Sequence, residues 1–194
     1  MQLQSIQQKW DDIYQQQKAK PCVAEVLQHN HYLLPEQGVA LDLACGLGAN
    51  ALMLAEKGLE VMAWDISPVA IESLKQNAIE RGVVIDTQVR DVLVSPPKAN
   101  SLDVLVVSLF LARELCPKLI AALRPGGLLF YQTYCQHKVS DGGPNNLDYL
   151  LEDNELLRLF PDLKLRVYRE ESLLGQYEMG MRNQAWMMAE KPAN

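Results

Sequence analysis

The stretch Val39-Ala40-Leu41-Asp42-Leu43-Ala44-Cys45-Gly46-Leu47-Gly48-Ala49-Asn50 decides the fold. Its first half is apolar except for one carboxylate and reads as a strand buried on both faces, the signature of a parallel sheet. Its second half is made of small residues, which let the backbone turn sharply into the N-terminus of a helix and pass close to a ligand there. The helix expected over Ala49 to Lys57 carries Ala51, Leu52, Leu54 and Ala55, with Gly58 as its stop. Strand, tight turn and helix in that order open an α/β fold.

The alternation continues outward from this unit. Glu60 to Asp65 is a second strand. Ser67-Pro68 starts a helix, with a capping hydroxyl before a proline at the first helical position, and the helix runs through Ile71, Leu74, Ala78 and Ile79 to Arg81-Gly82. Val83 to Val89 gives strand three, and the β-branched run Leu102 to Ser108 predicts a central strand. A helix from about Pro117 to Leu123 is stopped by Arg124-Pro125-Gly126-Gly127 before strand five, Leu128 to Thr133. A polar loop, His137 to Asn146, precedes a helix near Asp153 to Phe160. The strands Leu163 to Glu171 and Ala185 to Glu190 are then placed to pair as an antiparallel edge. The chain divides into an N-terminal helical segment, residues 1–35, and one α/β domain, residues 36–194. Ile6, Trp10, Ile13 and Tyr14 lie on one face of a helix in that first segment. Such a helix docks on the domain and, as a functional alternative, covers the site as a lid.

Composition narrows the function classes. With 194 residues, 48% hydrophobic and 22% charged, the chain is an ordinary globular domain large enough to bury a core without disulfide or metal staples. A net charge of −6 argues against a nucleic-acid substrate, which would need clustered cations. Cys22, Cys45, Cys116 and Cys135 form no C-x-x-C pair, the N-terminus has no charged or apolar leader, and no apolar run approaches membrane-spanning length. These features predict thiols in a cytoplasmic protein with no membrane association.

In an open parallel sheet, ligands bind beyond the carboxyl ends of the strands. Three positions there point to an adenosine-containing cofactor. The first is the small-residue loop from Asp42 to Asn50. The second is Asp65, whose carboxylate can accept from both hydroxyls of a ribose. The third is Asp91, positioned to accept from an adenine amine, with Val92 as an apolar wall. Each alone has a plain structural explanation as a tight turn, a helix cap or a loop residue. Together, at consecutive strand ends, they favour one site.

These residues resemble the class I S-adenosylmethionine-dependent methyltransferases, from about Trp10 to Lys191. Asp42-Leu43-Ala44-Cys45-Gly46-Leu47-Gly48 is similar to their first motif, Val61-Met62-Ala63-Trp64-Asp65 to the second, Arg90-Asp91-Val92 to the third, and Leu123-Arg124-Pro125-Gly126-Gly127 to the turn before strand five. Within the class, Trp10-Asp11-x-x-Tyr14, Gly48-Ala49-Asn50-Ala51 and Tyr149-Leu150-Leu151 resemble the branch of tellurite-resistance methyltransferases. The resemblance implies a Rossmann-like, doubly wound seven-stranded sheet whose last strand is inserted antiparallel, with S-adenosyl-L-methionine as cofactor and a small-molecule methyl acceptor. Its methionine part would lie over Ala44, Cys45, Gly46 and Gly48 near Asp42 and Asn50. The ribose would meet Asp65 and the adenine Ile66, Asp91 and Val92. Ser108 would line the methyl-transfer face, and Tyr14 would reach the cofactor carboxylate. Two positions depart from the pattern: Asn50 replaces a frequent third glycine, and Gln132-Thr133-Tyr134 replaces a carboxylate at the end of strand five.

Two other readings compete. A nicotinamide-dependent oxidoreductase shares the glycine turn and the acidic residue after strand two. Against it stand Asp42, which would repel a pyrophosphate, Ala51 in place of the third glycine, and the lack of a second domain for hydride chemistry. A non-catalytic S-adenosylmethionine-binding protein is the other. On the acceptor side the candidates are Tyr14, Arg113, Tyr134, His137 and Tyr149, with His29 and His31 read as packing or surface residues. Arg113 suits either an anionic acceptor or a neighbouring carboxylate. The reaction itself requires no metal. Catalytic residues, acceptor identity and oligomeric state are left open by the residues alone.

Overall fold

The computed structural model describes residues 2–16 and 22–193, with side chains from Ile6 onward. Its strands are β1 (Val39–Leu43), β2 (Glu60–Asp65), β3 (Ile85–Val89), β4 (Leu102–Ser108), β5 (Leu123–Tyr134), β6 (Lys164–Glu170) and β7 (Gln184–Glu190). The helices are α1 (Gln2–Gln16), α2 (Glu25–Asn30), α3 (Ala49–Glu56), α4 (Pro68–Arg81), α5 (Cys116–Ala122) and α6 (Glu155–Leu159). The seven strands form one sheet in the order β3-β2-β1-β4-β5-β7-β6. Strands β1 to β5 pair in parallel, and β7 is antiparallel to both β5 and β6. The expected inserted last strand is therefore present, and it lies between its neighbours rather than at the edge.

Alternation along each strand sends successive side chains to opposite faces. Leu41, Leu43, Leu105, Val107 and Tyr131 pack with Leu119 of α5 and Leu156 of α6 on one face. Ala40, Val104, Val106 and Phe130 pack with Leu27 of α2, Leu52 of α3 and Leu74 of α4 on the other. Each fully buried leucine contributes about 1.5–3 kcal/mol of transfer free energy. Below the sheet, at the amino end of β1, Asp103 ties strands together, accepting from the Val39 N–H at 2.7 Å and from Arg124 at 2.5 Å.

Boundaries differ from expectation where the chain turns. Strand three begins at Ile85 rather than Val83, because Val83 closes the end of α4 through its N–H to the Ala78 carbonyl. The residues Arg124-Pro125-Gly126-Gly127 do not separate helix from strand. They form a bulge inside β5, which pairs Leu123 with Leu102 and then, after a register shift, Leu128 with Val104. Gly126 and Gly127 exchange backbone hydrogen bonds with Lys191 after β7, which holds the bulge in place. No helix among the described residues is long and apolar enough to cross a membrane.

Candidate active site

The carboxyl ends of β1 and β2 carry two buried carboxylates side by side. Asp42 is fully buried. Its Oδ2 accepts from the Ala51 N–H at 3.0 Å and its Oδ1 from Asn50 Nδ2 at 3.4 Å, so the first turn of α3 is fastened to β1. Burial pushes its carboxyl up to about 8, and nearby Asp65 pushes the same way, against the hydrogen bonds from Asn50 and Ala51. Asp65 accepts from the Gly46 N–H at 2.8 Å and the Ser67 N–H at 2.9 Å. Burial raises its carboxyl as well, opposed by those amides and that of Ile66.

Between these carboxylates the backbone runs through left-handed conformations at Ala44, Gly46 and Gly48. Gly48 has a second reason to be glycine: a Cβ there would lie 2.2 Å from Leu74 of α4, so helix packing uses the space. A Cβ on Gly46 would lie 2.9 Å from the Tyr14 hydroxyl oxygen. Tyr14 of α1 thus sits directly over the loop, and its hydroxyl is pushed well up by burial and by Asp65, Cys45 and Asp42. Cys45 is buried, and burial beside the two carboxylates holds it as a thiol.

Asn50 gains a role that its sequence position did not disclose. Its Nδ2 also donates to Ser108 Oγ at the end of β4 (3.0 Å), and its Oδ1 accepts from the Ala24 N–H (2.9 Å). One buried amide therefore joins β1, β4 and the entry to α2. Gln132, standing where a carboxylate was expected, caps the same helix: its Oε1 accepts from the Val26 N–H at 2.8 Å, and its Nε2 donates to Gln184 Oε1 at 2.7 Å. A helix start lacking its own side-chain cap is thus satisfied from the sheet.

Asp91 and Val92 lie just beyond β3. Asp91 Oδ1 accepts from the Leu93 N–H at 2.9 Å in a local turn, and Val92 is buried in the same cluster as Trp64. Ile66 is half-buried next to Asp65. The Arg90 guanidinium lies 3.7 Å from the centroid of the Trp64 ring, a cation–π contact that the sequence did not advertise.

The acceptor-side candidates do not converge. Arg113 donates to Glu155 Oε1 at 2.6 Å and Oε2 at 2.9 Å, and to the carbonyls of Asp148 (2.7 Å) and Leu150 (2.9 Å). Its fork is committed to holding the segment after β5. His137 pairs with Asp153 at 3.0 Å with both side chains more than half exposed, and Tyr149 is half exposed. His31 hydrogen-bonds the Gln28 carbonyl at 2.8 Å. Among the described residues, no group of three or more His, Cys, Asp or Glu could hold a metal ion.

A parallel sheet with an antiparallel β7 set between β5 and β6 is the architecture of class I S-adenosylmethionine-dependent methyltransferases. The dinucleotide-binding order, with six parallel strands, has no such strand. Residues 40–127, from β1 to the β5 bulge, match the family model described as a methyltransferase domain. The chain is 30% identical over 107 residues to the ubiquinone biosynthesis O-methyltransferase of Xanthomonas axonopodis pv. citri (strain 306), covering 52% of this chain and 45% of that one. TehB from Haemophilus influenzae has a similar fold, with a TM-score of 0.71 at 23% identity over 94% of this chain and 67% of that one. A SAM-dependent methyltransferase from Methanosarcina mazei gives a TM-score of 0.69 at 19% identity, over 90% of this chain and the whole of that one (100%). The chain spans about half the length of the curated relatives it matches. By family model and by fold, residues 40–127 are similar to a methyltransferase domain, and S-adenosylmethionine-dependent methyltransferases share this sheet.

Proposed function

We propose that this chain transfers the methyl group of S-adenosylmethionine to a small-molecule acceptor. The observation that carries the reading is the pair of buried carboxylates, Asp42 and Asp65, on either side of the left-handed loop at Ala44 to Gly48. A carboxylate offers about four acceptor positions, so the amides of Gly46, Ser67 and Ile66 at Asp65 still leave room for a ribose hydroxyl. Asp42 faces an amide and an N–H and, among the described residues, no cation, which suits the positive amino end of a methionine moiety. On this reading Ala44, Cys45, Gly46 and Gly48 support the methionine part, and Asn50 and Ser108 border it. Ile66, Asp91 and Val92 receive the adenine, and Tyr14 closes over the loop.

The sulfonium of the bound cofactor supplies an already activated methyl group. The protein's task is to hold a nucleophile in line behind it in a dry pocket. Tyr14 and Trp10, whose rings stack at 5.8 Å between centroids, exclude water from above. The likeness to tellurite-resistance methyltransferases favours a soft acceptor, a metalloid oxyanion or a thiolate, which needs no general base. In support, Arg113 and His137 are already engaged with Glu155 and Asp153.

Calorimetric titration with S-adenosylmethionine, S-adenosylhomocysteine, NADH and NADPH tests the reading. Micromolar binding of the two sulfur nucleosides alone is expected, followed by methyl transfer in a screen of metalloid oxyanions and thiols. Binding of a nicotinamide alone overturns it. Tight cofactor binding without turnover of any acceptor would make the chain a binding protein.

A further inference from the structure

We propose that Asp11 is a specificity-determining residue that makes the docking of α1 depend on the charge of the ligand beneath it, favouring the cationic methyl donor over its neutral product. This rests on the reading that S-adenosylmethionine binds at the β1–α3 loop.

Helix α1 meets the site through two side chains three residues apart, which a helix places on one face. Tyr14 lies on Gly46. Asp11 is buried, and its carboxylate accepts a hydrogen bond from the Ser67 hydroxyl. Ser67 is itself fully buried, caps α4 by accepting from the Ala70 N–H, and donates its own N–H to Asp65. One serine therefore connects the carboxylate of α1 to the carboxylate at the end of β2.

This arrangement sets three carboxyl groups together, with Asp65 working against the ionisation of Asp42 and Asp11 against that of Asp65. Asp65 already shares the loop with Asp42, and docking α1 adds Asp11, whose charge works against that of Asp65. Among the described residues, none of these three carboxylates forms an ion pair with Lys, Arg or His. A helix that needed only to pack would gain more from a neutral partner for Ser67. A carboxylate there is costly when the pocket is empty or holds a neutral ligand, and it is offset when the ligand is positive. S-adenosylmethionine carries net positive charge through its sulfonium, and S-adenosylhomocysteine, left after methyl transfer, carries none. The closed position of α1 is thus favoured before transfer and disfavoured after it, which eases product release.

The test uses the full chain and three ligands. S-adenosylmethionine and sinefungin are cationic, the latter with no methyl group to transfer, and S-adenosylhomocysteine is neutral. Affinities come from calorimetry, and docking of α1 from hydrogen exchange of its amides. In the wild type, α1 is expected to be better protected with either cationic ligand than with the neutral one. Asp11→Asn keeps an acceptor for Ser67 and removes the charge. It should narrow the preference for cationic over neutral ligand by roughly three- to tenfold and level the exchange protection. Ser67→Ala, which releases Asp11, should narrow the preference too while lowering α1 protection with every ligand, and it carries the test should Asp11→Asn fail to fold. An equal change for all three ligands, or none, in these variants overturns the proposal and leaves Asp11 a packing residue. If none of the three binds the wild type, the cofactor-site reading itself has failed.

Discussion

At the carboxyl ends of β1 and β2 the buried carboxyl groups have no counterion among the described residues, whereas around the ends of β5 and β6 acids and bases pair with one another. Among the described residues, Asp42 and Asp65 accept hydrogen bonds only from N–H groups and an amide. On the other side Arg113 grips Glu155, Arg169 pairs with Glu171, and Arg182 donates to the carbonyls of Ser172, Gln176 and Met179. Pairing on that side offsets the several kcal/mol that a buried unpaired charge costs. The carboxyls at β1 and β2 have no such partner among the described residues, which is what the proposed cationic ligand would supply.

The largest effects should come from the incomplete side. Asp65→Ala is expected to weaken S-adenosylmethionine binding by roughly 1.5–3 kcal/mol, read by calorimetry. The sequence alone suggests an intact fold for this variant, but the amides of Gly46 and Ser67 would lose their acceptor, so its melting temperature should fall as well. Unchanged affinity would break the comparison at its root.

Asp42 gives a pH signature. Its carboxyl keeps a proton up to about 8 in the folded chain and only to about 3.8 when unfolded. The stability this proton contributes is therefore complete below that lower value and is lost as pH rises through about 8. Without ligand, the melting temperature should decline across this window, at roughly 2–4 °C per kcal/mol for a chain of this size. Asp42→Asn should flatten the slope. A cationic ligand favours the ionised form, so binding near neutral pH should release protons, with Asp65, Cys45 and Tyr14 as the other titratable groups nearby. A melting temperature that rises with pH toward 8 would contradict the burial of this group.

On the completed side, Arg113→Met should cost about 1–2 kcal/mol in urea unfolding, less than a fully buried pair because the arginine is about one-third exposed (35%). It should leave cofactor affinity unchanged. A parallel loss of affinity would mean that the segment held by Arg113 belongs to the cofactor site after all.

The two sides also differ in how far they could be read from the sequence. β1, β2, β4 and α4 were legible because period, glycine stops and the Ser67-Pro68 start act locally. Asp42 and Asp65 were legible because strand ends fix where a carboxylate must sit. The Asp11–Ser67 bond, the bonds of Asn50 to Ala24 and Ser108, and the capping of α2 by Gln132 join residues 56, 26 and 58, and 106 positions apart. No local pattern carries such pairings. The β5 bulge was misread because Pro-Gly-Gly stops a helix and can equally bend a strand whose partner accommodates the extra residues.

Gln132 and His137 supply the finest test of the contrast. Gln132→Ala removes the acceptor for the Val26 N–H and the partner of Gln184 inside the core, so it should cost about 1–3 kcal/mol. His137→Ala removes one exposed pair with Asp153, and surface pairs of this kind contribute within about 0.5 kcal/mol. Gln132 lies inside β5 and His137 three residues past its end, so the two differ in burial, partner and strand placement. Chemical denaturation of the two variants side by side should give a clear drop for the first and none for the second. If His137→Ala lost stability or cofactor affinity comparably, the loop after β5 would have to be counted with the site rather than with the scaffold.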